Sequence, residues 1–407
     1  MSDFNQSTPS MMHIDLNSCF ATIEQQANPL LRGKPIAVAA YDTLYSCIIA
    51  PSVEAKKLGI KVGMRVKEGK SLCPDLLILP PDPWKYRAVH QKLKKLLGFY
   101  TDSVTPKSID EFVLDFTGTP CLKSGLAKTA FDIKKKIKER VGEYITVSIG
   151  IGPNRFLAKT ASNLHKPDGL DEINKDNFLG VYQKLSITDL CGIKAANARR
   201  LSQFDILTVT DFYTASKQTL RAVFSSICGY YWYLRLHGFE IDAMEFKRGS
   251  FGNSYILPQT ISGFNDIQPI LVRLCQKSGF RMRNFGYYCR GVHLVIWFRD
   301  RNFWHESRNF GKNIFDSRDI FKAVLQIMSN CPYRSPVQQL AVSCFDLGKS
   351  QNTQLDMFGS VSRQKDLVEV IDKVNKKWGD FCLVPASMVG MEDKMPDRIA
   401  FGGVREL

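Results

Sequence analysis

The chain has 407 residues, too many for one ordinary hydrophobic core, and we expect two to four domains. Its 55 Lys and Arg residues outnumber 40 Asp and Glu residues, and the net charge of +15 favours a polyanionic partner such as nucleic acid. No apolar run suits a membrane span or a signal peptide, and the eleven cysteines are scattered without a C-x-x-C pair. The composition therefore excludes a membrane-spanning protein and a disulfide scaffold, and it predicts a cytoplasmic one.

From residue 12 to about residue 169, short apolar runs alternate with longer periodic segments, which predicts an α/β layer structure. Asp82 and Pro83 are typical of the start of a helix, which we expect to reach about Tyr100, and residues 125–140 predict a second, basic amphipathic helix. Residues 174–238 are predicted to be helical and compact. The predicted strands cover residues 36–40, 76–79, 112–116 and 146–151.

Residues 239–250 have the mixed polar composition of a linker, and an α+β domain is predicted after them. Its strands are expected at residues 251–257, 291–298 and 339–345, with a helix at 267–283. Residues 273–312 contain nine basic side chains against two acids, which makes this segment a candidate phosphate-binding face. In the remaining tail, Leu367, Val370, Ile371, Val374 and Trp378 recur at the spacing of an amphipathic helix.

Three acids adjoin short strand-like runs in the N-terminal half. Asp15 follows the run that ends in His13 and Ile14, and Asp110 and Glu111 precede residues 112–114. Ionised carboxylates are rarely buried unless they are paired or bind a metal, and a carboxylate set without His or Cys ligands suits Mg²⁺ or Mn²⁺. The pattern predicts a metal site, although a turn before a strand is the favoured interpretation of Asp110 and Glu111 when they are taken alone.

Five segments together resemble the Y family of DNA polymerases, of the bacterial polymerase IV kind, over about residues 12–345. They are residues 13–20 (HIDLNSCF), 53–59 (VEAKKLG), 108–111 (SIDE), 150–159 (GIGPNRFLAK) and 166–169 (KPDG). The resemblance implies a multidomain α/β and α+β fold shaped as a right-hand polymerase. Its expected parts are a palm (residues 11–18 and 86–173), small fingers (19–85), a helical thumb with a helix-hairpin-helix (174–240), a linker (241–250), a C-terminal polymerase-associated or little-finger domain (251–346) and a tail (347–407).

The resemblance also implies an activity, namely template-directed, low-fidelity DNA synthesis by two-metal-ion catalysis, used in translesion synthesis during DNA repair. Asp15, Asp110 and Glu111, with the backbone carbonyl of Leu16, would hold two Mg²⁺ ions, and Mn²⁺ is an alternative. The implied partners are primer-template DNA, deoxynucleoside triphosphates and a sliding clamp. The protein would act as a monomer in the cytoplasm, associated with the nucleoid.

By the same resemblance, Lys56, Lys166 and backbone amides near Ser18, Cys19 and Phe20 would bind the nucleotide triphosphate. Phe20 stands where the family has an aromatic steric gate against a ribose 2′-hydroxyl, although a core residue of a helix starting near Leu16 is an alternative interpretation. The sequence departs from many members of the family: it has Ala50 in place of a hydroxyl residue, Lys56 in place of arginine and Ser18 in place of an aromatic residue. These departures concern nucleotide affinity rather than the reaction.

Two further regions would contact the partners. In the thumb, residues 190–196 (LCGIKAA) resemble a helix-hairpin-helix in which Gly192 and Lys194 meet a DNA phosphate, and many relatives have a second glycine at the position of Lys194. In the little finger, the expected DNA contacts are Arg273, Arg281, Arg283, Arg299 and Arg301.

One segment of the tail resembles a clamp-binding peptide on a flexible tail, and a tail folded back onto its own domain is the alternative. The segment consists of Gln354, Leu355, Asp356, Met357 and Phe358.

Two other functions are weighed against polymerase activity. A noncatalytic scaffold that binds the clamp and DNA is disfavoured because Asp15, Asp110 and Glu111 are all present. Another two-metal enzyme on a similar palm, such as a nucleotide cyclase, would leave the hairpin, the basic domain and the clamp-like peptide unexplained.

Overall fold

The computed structural model describes residues 4–243, 247–332, 335–349, 360–379 and 381–389. The chain divides into two compact units between Met244 and Glu245, inside the segment 241–250 that the sequence predicts as a linker. Among the described residues, no helix combines the length and the apolar character that crossing a membrane requires.

The first unit contains an α/β region followed by a run of helices. The predicted strands and helices of the α/β region all form, and Asp82 caps the N-terminus of its long helix by accepting from two backbone amides. In chain order, the elements are β1 (Met11–Leu16), α1 (Cys19–Ala27), β2 (Ile36–Ala39), β3 (Ile48–Pro51), α2 (Val53–Lys57), α3 (Val66–Leu72), β4 (Leu77–Leu79), α4 (Pro83–Leu97), β5 (Val104–Pro106), β6 (Glu111–Asp115), α5 (Pro120–Ser124), α6 (Leu126–Arg140), β7 (Val147–Gly152), α7 (Arg155–Ser162), β8 (Leu170–Glu172), α8 (Phe178–Lys184), α9 (Ala195–Ser202), α10 (Val209–Thr214), α11 (Lys217–Phe224) and α12 (Cys228–Leu236).

A five-stranded sheet in the order β5-β6-β1-β7-β8 has different neighbours on its two faces. Side chains alternate along a strand, and Met12, Ile14 and Leu16 of β1 pack into a core with α4 and α6. The other face is covered by α7, where a Cβ atom added to Gly150 of β7 would lie 2.0 Å from a backbone oxygen of α7. His13 is paired directly with Gly150 in the sheet register and therefore faces α7.

Two smaller cores belong to the predicted fingers and thumb. Strands β3, β2 and β4 form a three-stranded sheet, and its core includes Ile48, Ile60 and Val66. Helices α8 to α12 share a core around Trp232 and Phe212, together with residues of α7. The helical character predicted for residues 174–238 is therefore confirmed.

The second unit is an antiparallel sheet with two helices packed on one face. The strand order is β11-β10-β12-β9, and the core lies between this sheet and helices α13 and α14. Strand β11 and helix α14 were not predicted from the sequence. β11 is an edge strand with mostly exposed side chains, so its sequence lacks the apolar alternation of a half-buried strand. The elements are β9 (Ser250–Ile261), α13 (Phe264–Asn284), β10 (Tyr287–Phe298), β11 (Phe303–Ile314), α14 (Ser317–Met328), β12 (Val337–Lys349) and α15 (Ser360–Trp378).

The basic segment 273–312 does not form one face, which corrects the prediction made from its charge. Arg273 is only 6% exposed, and its guanidinium carbon lies 4.8 Å from the ring centroid of Phe381. Arg281 donates to a backbone carbonyl of β9 at 2.9 Å. Arg283 makes a bidentate ion pair with Asp372, at 2.7 and 2.8 Å. Arg273 is buried, and the phosphate contact predicted for it does not fit its surroundings, whereas the contacts predicted for the half-buried Arg281 and Arg283 remain predictions.

Two other arginines of that segment have a different environment. Arg299 and Arg301 are exposed in the turn between β10 and β11. The DNA contacts predicted for these two residues therefore remain predictions.

Helix α15 shows that the predicted tail is partly ordered structure. Besides the pair between Arg283 and Asp372, Gln364 of α15 donates to Asp316 and Asp319 at 2.9 and 2.8 Å. The helix predicted around residues 367–378 is confirmed, and the expectation of a flexible tail is wrong for residues 360–378. The predicted clamp-binding peptide, residues 354–358, lies outside the described residues.

Candidate active site

Two adjacent strands bring the predicted metal ligands to one end of the central sheet. Asp15 of β1 and Glu111 of β6 are paired directly in the antiparallel register, and each offers a carboxylate oxygen within 4.8 Å of the other. Asp110 immediately precedes β6, and its carbonyl accepts a hydrogen bond from the Leu16 amide at 3.0 Å. The three carboxylates and the Leu16 backbone therefore lie together.

Burial makes negative charge unfavourable at this site. The pKa of Asp110 is raised from 3.8 to about 6, mainly by burial and also by the charges of Asp15 and Glu111, although the hydrogen bond that Ser108 Oγ donates to Asp110 at 2.5 Å lowers it in part. Burial also raises the pKa of Asp15, in part offset by the ammonium group of Lys166. Buried carboxylates that lie close together repel one another, and a bound cation would offset that repulsion.

Two lysine ammonium groups partly balance this charge. Lys166 Nζ lies 2.6 Å from Asp15 Oδ2, and Lys159 Nζ of α7 lies 2.8 and 2.6 Å from the two carboxylate oxygens of Glu111. The sequence predicts a nucleotide-binding role for Lys166 but no role for Lys159. The available signal was the pair of glycines in β7, which allow α7 to approach the sheet end where Glu111 lies.

His13 is a second residue that the sequence analysis did not place in the site. It is 1% exposed, and its Nε2 lies 3.7 Å from Glu111 Oε2. Neither ring nitrogen has a hydrogen-bond partner among the described residues. Burial, with the charges of Lys159, Lys166 and other lysines, lowers its pKa to about 3, so the imidazole is neutral. His13 therefore lies beside the expected carboxylates, and the i, i+2 spacing of His13 and Asp15 was the signal that places both on one face.

A cavity of about 530 Å³ opens beside the carboxylates and contains most of the predicted nucleotide-binding side chains. Ser18 is the N-cap of α1, with a left-handed φ of 50°, and its buried hydroxyl has no partner within the described part of the chain. Ser18 places the N-terminal end of α1 at this cavity, and the N-terminus of a helix favours anions. The cavity is lined by Asp15, Leu16, Asn17, Ser18, Ile49, Ala50, Pro51, Val53, Lys56, Lys57, Val62, Asp110, Lys166 and Pro167.

Cys19 and Phe20 are not part of that cavity lining. Phe20 is 2% exposed, and its ring stacks on Tyr86 with a centroid distance of 4.2 Å. Cys19 is also buried, in the same core. This packing agrees with the alternative interpretation of Phe20 as a core residue, and its contact with a sugar remains a prediction.

The fingers contribute two lysines, Lys56 and Lys57, and several apolar side chains to the cavity. Lys56 lies on the short helix α2, which Ser52 caps by accepting from the Ala55 amide at 3.2 Å. Burial and the nearby charge of Lys166 lower the pKa of Lys56. Ala50 lines the cavity without offering a hydrogen-bonding side chain. Lys56, Lys57 and Lys166 all line this cavity, and the sequence predicts triphosphate contacts for Lys56 and Lys166.

The predicted hairpin of the thumb forms a turn before α9. Gly192 has a φ of 97°, and an added Cβ atom would lie 3.3 Å from the Trp232 ring, so glycine suits this position both for its backbone and for its packing. Lys194 is exposed and has a φ of −120° as N-cap of α9. A second glycine is not needed where Lys194 stands.

Comparisons with known proteins agree with this architecture. The model of the impB/mucB/samB family matches residues 14–163, and the model of the family's C-terminal domain matches residues 248–357. Relatives include the DNA polymerase IV of Pelotomaculum thermopropionicum, 29% identical over 91% of this chain and 93% of the relative. The DNA polymerase IV of Oceanobacillus iheyensis is 30% identical over 91% of this chain and 89% of the relative.

Solved structures share the fold. A Y-family DNA polymerase chimera of Dbh and Dpo4 has a TM-score of 0.71 at 24% identity, over 83% of this chain and 98% of the other. An insertion ternary complex of Dbh DNA polymerase gives a TM-score of 0.59 at 23% identity, with the same coverage. The predicted fold class is confirmed. The chain belongs to the impB/mucB/samB family and is a Y-family DNA polymerase.

Proposed function

We propose that this protein is a template-directed, low-fidelity DNA polymerase that adds deoxynucleotides to a primer 3′-hydroxyl, and that it acts in translesion synthesis during DNA repair. The observation that carries the proposal is the position of Asp15 and Asp110 at the wall of a cavity that also contains Lys56 and Lys166. A nucleoside triphosphate binds with metal ions, which carboxylates can hold, and its phosphates carry negative charge, which lysines can neutralise. We expect the protein to act as a monomer in the cytoplasm, associated with the nucleoid.

The carboxylates of Asp15, Asp110 and Glu111 and the carbonyl of Leu16 would hold two Mg²⁺ ions, with Mn²⁺ as an alternative. The donor set fits, because it consists of oxygens and because burial leaves the negative charge of Asp110 poorly stabilised. When bound, the ions lower the pKa of the attacking hydroxyl and stabilise the charge of the leaving pyrophosphate. The protein's part is to keep the acids ionised and converging, and to release Asp15 and Glu111 from their lysine partners.

The incoming nucleotide is proposed to lie in the cavity. Lys56 and Lys166 would neutralise the triphosphate, while amides at the start of α1 and the hydroxyl of Ser18 would donate hydrogen bonds to it. Cys19 and Phe20 would contribute through their backbone amides. The ring of Phe20 is proposed as the gate that rejects ribonucleotides, since α1 holds it next to residues of the cavity wall.

The protein would bind DNA through its phosphates, without recognising the base sequence. Backbone amides of the turn at Gly192, with Lys194, suit one phosphate, and exposed Arg299 and Arg301 suit others. Such binding should weaken steeply as salt rises. The peptide at residues 354–358 is proposed to dock on the sliding clamp.

Primer extension tests the proposal. Wild type, Asp110→Ala and the control Asp102→Ala, which changes an exposed aspartate of the same segment, are compared on an undamaged primer-template with deoxynucleotides and Mg²⁺. We expect wild type and the control to extend the primer and Asp110→Ala to fail. Extension by Asp110→Ala at the wild-type rate would remove Asp110 from the mechanism, and no extension by a folded, DNA-binding wild type would contradict the proposed function.

A further inference from the structure

The site contains a nitrogen ligand beside its carboxylates. His13, Asp15 and Glu111 each offer one ligand atom, and the three atoms lie within 4.8 Å of one another. We propose that these three residues bind a divalent transition-metal cation through the His13 imidazole and two carboxylates, and that this ion competes with Mg²⁺ for Asp15 and Glu111. Binding is independent of the proposed polymerase function, whereas the inhibition expected from it rests on that function.

The geometry of the sheet makes His13 available to such an ion. His13 and Asp15 are two residues apart on β1 and face the same side, and Glu111 is the direct neighbour of Asp15 on β6. The His13 ring is buried under α7, yet neither nitrogen has a hydrogen-bond partner among the described residues. A buried polar group without a partner is costly, and a cation next to Glu111 would supply the missing partner.

The chemistry of the ligand set distinguishes this site from an Mg²⁺ site. Mg²⁺ prefers oxygen ligands in an octahedral arrangement, whereas imidazole suits Zn²⁺ and other first-row transition metals. An ion held by His13 would occupy two of the three carboxylates and leave Asp110 without its shared cation. A Zn²⁺ ion held in this way should therefore inhibit a reaction that needs all three carboxylates.

A substitution of Lys159 should change metal affinity in the opposite direction to a substitution of His13. Its ammonium group contacts both carboxylate oxygens of Glu111 at 2.8 and 2.6 Å, and a metal ion must displace it. Removing that positive charge should make binding of a cation several-fold tighter, whereas removing His13 should weaken binding of a transition metal.

Mn²⁺ is the appropriate probe, because it is paramagnetic and binds cysteine thiols weakly, and several cysteines of this chain are exposed. The metal-free full-length protein, without DNA or nucleotide, is titrated with Mn²⁺ and examined by pulsed electron paramagnetic resonance for coupling to an imidazole ¹⁴N nucleus. We expect that coupling in wild type and its loss in His13→Gln. Mn²⁺ affinity should fall at least about tenfold in His13→Gln, with little change for Mg²⁺.

The matched control is His293→Gln, because His293 and His305 lie close together, with ring nitrogens 3.4 Å apart, and offer a second place where imidazole could meet a metal ion. This variant should keep the ¹⁴N coupling. Lys159→Met should bind Mn²⁺ more tightly and should still show the ¹⁴N coupling, which tests the His13 ligand in a second variant if His13→Gln does not fold. Absence of ¹⁴N coupling in folded wild type, or its persistence in folded His13→Gln, would overturn the proposal even if the protein proved inactive as a polymerase.

The expected consequence is checked separately in primer extension. Zn²⁺ should inhibit wild type in a manner relieved by added Mg²⁺, and His13→Gln should need at least about tenfold more Zn²⁺ for the same relative inhibition. Equal sensitivity of the two proteins would show that the inhibitory ion binds elsewhere.

Discussion

Replacing Asp110 with asparagine should stabilise the metal-free protein while it removes catalysis. The pKa of Asp110 rises from 3.8 to about 6, with burial as the largest cause. Above pH 6, the folded state therefore holds a charge that water would stabilise better, at a cost of up to about 3 kcal/mol from roughly 1.4 kcal/mol per pKa unit. Asparagine is neutral and can still accept the hydrogen bond that Ser108 donates to the carboxylate.

The pH dependence follows from the sign of this shift. Because the pKa is higher in the folded protein, protonation of Asp110 favours folding, and that stabilisation is lost as pH rises through about 6. The advantage of Asp110→Asn is therefore full near pH 7.5, smaller at pH 5 and absent below about pH 4. Mg²⁺ should stabilise wild type, by binding the folded state, more than it stabilises the variant.

Thermal unfolding of the full-length protein measures the effect. Without divalent ions at pH 7.5, the transition of the first unit should rise by up to roughly 6–12 °C in Asp110→Asn, and by much less at pH 5. The control Asp102→Asn, at an exposed position of the same segment, should change little at either pH. A melting temperature of Asp110→Asn at or below that of wild type at pH 7.5 would refute the reasoning.

Four further results are expected. Phe20→Val should admit ribonucleotides by removing the ring, and unchanged sugar discrimination in single-nucleotide kinetics would argue against a gate. Lys166→Ala should raise KM for the nucleotide by roughly tenfold, as the loss of a charge-assisted contact predicts, so an unchanged KM would exclude a triphosphate contact. Incorporation at limiting Mg²⁺ should fall as pH drops through about 6, because Asp110 must lose its proton to bind a cation, whereas a flat profile would contradict its role. Deleting residues 354–358 should preserve distributive synthesis and abolish stimulation by the clamp, and equal stimulation would exclude this peptide.

Asp15 and Glu111 could be predicted from the sequence because the strand patterns on which their positions depend are local. Asp15 belongs to a short buried strand, and Glu111 begins another, so the strand pattern itself places them at strand ends. Their pairing across β1 and β6 required the tertiary structure, although the family resemblance implied it. The start of the long helix α4 was likewise predictable, since Asp82 and Pro83 form a local capping signal.

Interactions between distant segments were not predictable in the same way. The contact of Lys159 with Glu111 depends on how closely α7 packs on β7, and the burial of His13 depends on the same packing. The charge of segment 273–312 suggested one binding face, but α13 directs Arg273 and Arg283 into the second unit. Charge counted along a sequence does not determine which side of an element a side chain occupies.

The central claim is that the Asp15, Asp110 and Glu111 site performs nucleotide transfer directed by a template. Its most direct test is single-turnover incorporation of each of the four deoxynucleotides opposite each template base, with Mg²⁺, by wild type and by Asp110→Asn that has been shown to fold and to bind the same primer-template. We expect preferential incorporation of the complementary nucleotide by wild type and a loss of at least about a thousandfold in Asp110→Asn. Comparable rates for the two proteins, or incorporation by wild type that ignores the template base, would contradict it.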